Sequence, residues 1–376
     1  MKEGPKQENH THKETNPVIG GEFPFSEEML DQPFRKSVLD MALQYHPDYH
    51  HYLTGGGYYS LKVILGHLQT KGMTEKPILL PSFLCPSILI PLRELNIRYE
   101  FYPVDLNLKI NTIELGKKIR KLGSKVVLAI PYFGFECDQK SNEFLKTLKF
   151  SGVQLIEDRA QCLFPDFPPL GNYVFYSFRK FLPVDGSLLL SDELLEFSFE
   201  HNNGHYTALK KFGQQLRYRF LKHGEDTEEE FLKVFQQAEE AYYQNGIAEF
   251  EMTNLALFPR LNIEEEITQR RKCYRLLHRL LPEYALVAHR NTATASPLCF
   301  PIQVPGDRDQ VQRLLKSERI FAPAHWRLSE EDVPASFIAA HRLSKSVLSL
   351  PLRTDLPEEA YHAMAQKVTE LLETIH

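Results

Sequence analysis

Residues 173–192 read YVFYSFRKFLPVDGSLLLSD. Two apolar, β-rich runs, 173–178 and 187–191, flank a polar turn that carries Ser177, Arg179 and Lys180. Continuous apolar runs of this length suit strands buried on both faces of a parallel sheet. The same kind of run recurs upstream as KPILLPS (76–82), RYEFYPV (98–104), KVVLAIP (125–131) and VQLIED (153–158). Helical spacing fills the gaps. Leu61, Ile64, Leu65 and Leu68 share a face over 60–71, as do Leu115, Ile119 and Leu122 over 112–122 and Phe144, Leu145 and Leu148 over 139–149. The alternation predicts an α/β fold, with a mostly parallel sheet sandwiched by helices through right-handed crossovers.

Downstream of Ser191 the pattern changes. Residues 192–271 are mostly helical, with amphipathic stretches over 206–222 and 227–244. Further on, strand-like runs (298–304, 346–350) alternate with helices (307–317, 357–374). The expected organisation is a disordered tail over 1–16, a large domain over 17–245 and a smaller C-terminal α+β domain over 246–376.

Composition narrows the function classes. The 376 residues carry 44 Lys+Arg against 49 Asp+Glu, a net charge of −5, which gives no electrostatic reason to expect nucleic acid as a partner. The five cysteines (85, 137, 162, 273, 299) form no CxxC pair and read as reduced thiols in a cytoplasmic protein. The opening MKEGPKQENHTHKE lacks a signal peptide's apolar core, and no apolar run approaches the roughly 20 residues of a membrane span. No metal is expected. His46 and His50 are four apart, but Pro47 between them argues against one helix face, so a solvated loop is the expectation there. HNNGH (201–205) also reads as a loop.

Open α/β sheets bind ligands beyond the carboxyl ends of their strands, which directs attention to a short set of residues. Gly55-Gly56-Gly57-Tyr58 precedes the first helix of the alternating region, and backbone amides at a helix start suit an anion such as a phosphate. Taken alone, those glycines read more simply as a plain flexible turn. Asp158 ends an apolar run, where a carboxylate could hold a protonated ring nitrogen or cap the next loop. Lys180, three residues after Ser177, could serve as an amine nucleophile for a carbonyl cofactor, or be surface charge. The order of these parts is what pyridoxal phosphate (PLP) requires: phosphate donors, a carboxylate for the ring nitrogen, an amine for its aldehyde carbon.

With these residues in view the chain resembles the fold-type I PLP enzymes, in the DegT/DnrJ/EryC1/StrS branch of aminotransferases. The resemblance runs along most of the sequence: IGGEFPF, TGGGYYSLKVIL, ILLPSFLCPSILIPL with YEFYPVD, PYFGFECD, VQLIEDRAQ, YSFRKFLPVDGSLLLSD and SVLSLPLRTDLPEEAY. It implies a large PLP domain with a smaller C-terminal domain and a homodimer. It implies that Lys180 anchors the cofactor covalently, that Asp158 meets the pyridine nitrogen, and that Gln161 lies near the phenolic oxygen. Ser177, with amides around Gly56, Gly57 and Tyr58, would hold the phosphate. Tyr58 stands where the family has a small hydroxyl residue, and Cys85 where it often has an aromatic over the ring.

The implied reaction is amino transfer from an amino acid such as glutamate to a keto acceptor such as a keto sugar nucleotide. A PLP-dependent lyase or dehydratase, or a non-catalytic regulatory protein, are the alternatives on the same scaffold. For substrate, Arg353 could reach a carboxylate or phosphate by bidentate contacts. His325 and Trp326, the latter the only tryptophan, could line a pocket, or Trp326 could be an aromatic anchor between domains.

Overall fold

The computed structural model describes residues 17–287 and 290–374; the expected tail over 1–16 lies outside them. Among the described residues eleven strands are formed: β1 (Ile19–Gly20), β2 (His50–Thr54), β3 (Ile78–Pro81), β4 (Tyr99–Tyr102), β5 (Val126–Ala129), β6 (Gln154–Arg159), β7 (Tyr173–Tyr176), β8 (Ser187–Ser191), β9 (Cys299–Gln303), β10 (Ile320–Phe321) and β11 (Val347–Pro351). The seven from β2 to β8 form one sheet in the order β2-β8-β7-β6-β5-β3-β4. All neighbours pair in parallel except β8, which runs antiparallel to both β7 and β2. β3, β5, β7 and β8 are buried along their whole length. Each Val or Leu so placed contributes at most about 1.5–3 kcal/mol of apolar burial, which is why these runs are continuous and do not alternate.

The twelve helices among the described residues are α1 (Val38–Tyr45), α2 (Gly57–Thr70), α3 (Leu89–Glu94), α4 (Thr112–Leu122), α5 (Gln139–Phe150), α6 (Gly204–His223), α7 (Glu228–Tyr242), α8 (Met252–Leu257), α9 (Ile263–Leu280), α10 (Arg308–Ser317), α11 (Ile338–Ser346) and α12 (Glu358–Thr374). Their starts are written in the sequence. Asn111 accepts from the Glu114 amide at α4, Asp138 from Ser141 at α5, and Thr227 and Glu230 form a reciprocal capping box at α7. Such caps contribute about 1 kcal/mol each.

β9 and β11 make a second, antiparallel pair. β1 pairs in parallel with β10, so the first described strand is built into the C-terminal part of the chain. The main core runs without a break from Ile19 to Leu372 and includes residues of both sheets.

Two local expectations change. The histidine-rich stretch is not a solvated loop: His46 is buried at the end of α1, and His50 and His51 open β2. Its Nε2 meets the Tyr176 hydroxyl at 2.8 Å, and its ring stacks on Phe164. In HNNGH, Gly204 already starts α6, which places His205 in a helix.

Candidate active site

The topology gathers the sequence's candidates at one edge of the large sheet. β2, β3, β5, β6 and β7 share a direction, so the segments that follow them leave from the same side. Those segments carry Gly55–Gly57, Ser82-Phe83, Tyr132–Gly134, Ala160–Cys162 and Ser177–Lys180. β8 is antiparallel, so its first residue, Ser187, lies at this edge too. The Ser187 hydroxyl is bonded to Ser60 of α2 and to the Tyr176 carbonyl, which ties the start of α2 to the end of β7.

Asp158 is the penultimate residue of β6 and is 6% exposed. One carboxylate oxygen accepts from the Ala160 amide at 2.8 Å. Burial pushes its pKa above the ordinary carboxylate value, and the Lys180 ammonium and the Ala160 amide oppose that shift. An ionised Asp158 is thus costly here unless a cation faces it.

Gln161 is fixed from the neighbouring strand end. Its Oε1 accepts from the Phe133 amide at 2.7 Å, and its Nε2 is buried with no partner. A buried amide donor left unpaired costs about 1–3 kcal/mol, so Nε2 is a group waiting for an acceptor. Phe133 itself sits at φ 57°, a left-handed conformation that costs a phenylalanine about 1–2 kcal/mol. Its amide bond to Gln161 and the bond its carbonyl accepts from Leu298 (3.0 Å) offset that cost.

Lys180 closes a single 3-10 turn that begins right after Ser177. It lines a cavity of about 630 Å³ together with Arg179, Cys299, His325, Ser349 and Arg353. The His325 Nδ1 lies 2.8 Å from the Ser349 hydroxyl. Burial, and then the Lys180 charge, push His325 down to about 3, so its ring is neutral near pH 7. Lys180 thus acts electrically on Asp158 and on His325, which come from opposite parts of the chain.

The glycine turn faces Ser177. A Cβ added to Gly57 would lie 3.7 Å from the Ser177 Cβ, and one added to Gly56 would overlap the Tyr242 hydroxyl. Tyr242 ends α7, is 4% exposed, and carries the Arg179 guanidinium over its ring at 4.9 Å. Arg179 pairs with Glu239 at 2.7 Å.

The remaining candidates are placed differently. The Tyr58 hydroxyl donates to Glu94, whose carboxylate also pairs with Lys62. Only its backbone amide stays with the glycine turn. The Cys85 thiol sits 3.0 Å from the Ser87 hydroxyl. Trp326 packs on Phe83 and Tyr132 with centroids 5.2 and 6.3 Å away, bridging the C-terminal part to the strand ends of the large sheet. Arg353 pairs in bidentate fashion with Asp355, at 2.9 and 2.6 Å. Sequence reasoning missed Tyr242, Ser349 and Arg217, the last of which also lines the Lys180 cavity. Ser349 lies inside a motif already singled out, SVLSLPLRTD, whereas Tyr242 is 186 positions from Gly56 and carries no local signal.

Among the described residues no cluster of three or more His, Cys, Asp or Glu is arranged to hold a metal, and no helix is long and apolar enough to cross a membrane. No family model matches the chain, and no curated protein matches it. Solved structures do. A DegT DnrJ EryC1 StrS aminotransferase from Brucella abortus superposes with a TM-score of 0.63 at 16% identity, covering 90% of this chain and 92% of that one. Helicobacter pylori PseC, an aminotransferase involved in the biosynthesis of pseudoaminic acid, gives 0.67 at 12% identity, over 95% and 100%. Streptococcus pneumoniae Spr1654 in its PLP form gives 0.64 at 12% identity, over 95% and 94%. The chain shares the α/β fold of these aminotransferases.

Proposed function

We propose that this chain is a PLP-dependent aminotransferase that moves an amino group from an amino acid donor, glutamate in the simplest case, to a keto acceptor such as a keto sugar nucleotide. The observation that carries the reading is the placement of Lys180 and the buried Asp158 at the ends of two adjacent parallel strands, on the carboxyl edge of the large sheet. The shared fold supports it, and one protein of that fold has been solved in both PLP and PMP forms.

The residues fit the group. Gln161 offers a buried, unpartnered Nε2 where an acceptor is wanted, and Gly57 brings the start of α2 close to Ser177, with room for a Cβ only at contact distance. Asp158 has one oxygen committed to the Ala160 amide and the other available to a ring N–H.

When bound, the cofactor supplies an electron sink for charge that develops at the substrate α-carbon. Asp158 keeps the ring nitrogen protonated, and the cation so formed offsets the burial cost of its own carboxylate. Gln161 donates to the phenolic oxygen. The Ser177 hydroxyl and the Gly57 amide hold the phosphate, with the Tyr242 hydroxyl beside Gly56 as a further donor. Lys180 would hold the group at its aldehyde carbon, and its amine would be the base that takes a proton from the substrate α-carbon and the acid that returns it. Trp326, Phe83 and Tyr132 form an apolar wall that limits water at these strand ends. The reading includes a homodimer, for which the exposed Leu39 and Leu43 on the outer face of α1 offer apolar surface.

The test is spectroscopic and chemical. Purified protein should take up PLP with a visible band that borohydride reduction abolishes, leaving the label on Lys180. Incubation with an amino donor should release keto acid in stoichiometric amount; ammonia release in its place would point to a lyase. Lys180→Ala should lose at least about 10³-fold in turnover, given the 10²–10⁴-fold typical of one acid–base group and the loss of the anchor. A protein that PLP cannot tint, or full activity in Lys180→Ala, would overturn the reading.

A further inference from the structure

The cavity that holds Lys180 has a strong charge imbalance: seven cationic side chains line it against three acidic ones. Some of the cations are spoken for. Arg179 pairs with Glu239, Arg270 with Glu266 and Arg353 with Asp355. Arg217 of α6 is not, for among the described residues no carboxylate lies within 4 Å of it. It is 3% exposed, and its Nη2 donates to the Gly20 carbonyl at 2.7 Å. Its Nε is buried with no partner. Its guanidinium also sits 5.5 Å from the Phe231 ring centroid. Burial and the neighbouring Arg353 push its pKa down to about 10, whereas Glu22 and Glu228 act more weakly in the opposite direction.

A buried guanidinium that shares its cavity with a second one, and whose hydrogen-bond partner is a neutral carbonyl, is an unfavourable arrangement on its own. An oxyanion in the cavity would reverse the sign of that interaction, because Arg217 and the Nη1 of Arg353, which Asp355 does not engage, can donate to carboxylate or phosphate oxygens. The backbone is shaped to permit it. A Cβ on Gly21, at φ +76°, would come within 2.9 Å of both terminal nitrogens of Arg217. The glycine therefore lets the segment after β1 close over Arg217 without displacing the guanidinium.

We infer that Arg217, with Arg353 beside it, forms an oxyanion-binding site in the Lys180 cavity, which recognises a carboxylate or phosphate carried by the substrate away from its reacting carbon. The inference rests on the proposed reaction for its link to substrate, but the anion site is readable without it. Ser349, next to His325, and Arg353 are four residues apart on one strand and its extension. At most about 14 Å separates their Cα atoms, which suits one small metabolite that spans the cavity.

The experiment titrates the full-length protein, as purified, with glutarate, inorganic pyrophosphate and uncharged glucose by calorimetry. The same probes are applied to Arg217→Gln and Arg217→Lys, with circular dichroism and PLP absorbance recorded for each variant. The expected result is that one of the two anions binds the wild type, that glucose does not, and that Arg217→Gln weakens the anion at least tenfold. Arg217→Lys should fall between the two, because it keeps the charge and loses the fork. Preference for glutarate assigns a carboxylate; preference for pyrophosphate assigns a phosphate. If Arg217→Gln keeps its circular dichroism and binds both anions like the wild type, or the wild type binds neither, the site is refuted. PLP uptake is scored separately, so loss of the cofactor reading and loss of the anion site give different outcomes.

Discussion

Gly56 shows how much a single missing methyl group governs at this site. The first turn of α2 and the end of α7 approach so closely that a Cβ at Gly56 would take the place of the Tyr242 hydroxyl. Gly56→Ala should therefore cost about 1–3 kcal/mol in urea unfolding, the usual penalty for overpacking. The cost should shrink when Tyr242→Phe removes the oxygen. An equal cost in both backgrounds would show that the two residues do not meet. At this scale the sequence was only partly legible. Asp158, Ser177 and Lys180 could be picked out because each lies at or just beyond the end of an apolar run. The Tyr58 and Cys85 side chains have partners of their own: Glu94 engages one and Ser87 lies against the other, and neither partner is signalled by local sequence. Arg217 and Tyr242 were invisible for a related reason. Each lies on a helix whose sequence reads as an ordinary amphipathic surface, and their partners are distant in the chain.

Among the elements, the strands of the large sheet were legible because burial on both faces leaves an unbroken apolar signature. β2 was not, since HHYLT mixes exposed and half-buried positions at the sheet's margin. The connection at Phe133-Gly134 belongs to the same scale. This tight turn after β5 exchanges backbone bonds with a segment ahead of β9: Ser296 donates to the Gly134 carbonyl and Leu298 to the Phe133 carbonyl, both at 3.0 Å. Gly134 has φ +86°, and a Cβ there would overlap the Ser296 carbonyl oxygen. Gly134→Ala should break this junction, lowering stability by about 2 kcal/mol or more. Because Phe133 orients Gln161, the same change should also weaken PLP binding. Stability and PLP affinity both at wild-type values would contradict this account of the turn.

On the scale of the whole molecule, His46 links stability to pH. Burial, with Arg159 and His51 adding to it, pushes its pKa down to about 3. The unfolded chain therefore binds a proton near pH 6.5 that the folded chain refuses. Stability from this group is complete above the unfolded value and falls by about 1.4 kcal/mol per unit as pH drops from 6.5 towards 3. Between pH 6.5 and 5 that amounts to about 2 kcal/mol. His46→Phe, which keeps a ring against Phe164, should flatten the unfolding free energy over this interval by a similar amount. An unchanged slope would mean that His46 is protonated in the folded state. This effect was hidden in the sequence, where Pro47 and the neighbouring polar residues suggested an exposed loop.

The pairing of β1 with β10 sets an order of events during synthesis. Ile19 lies opposite Ile320, 301 positions later. At the usual 5–20 residues per second, a ribosome needs about 15–60 s to supply the second strand after the first has been made. The large sheet, whose last strand ends at Ser191, can form well before that. Gly20 and Gly21, which close against Arg217, can dock only at the end. The nascent protein can therefore hold a formed sheet while the wall of its anion cavity is still open, and the recognition site is completed last.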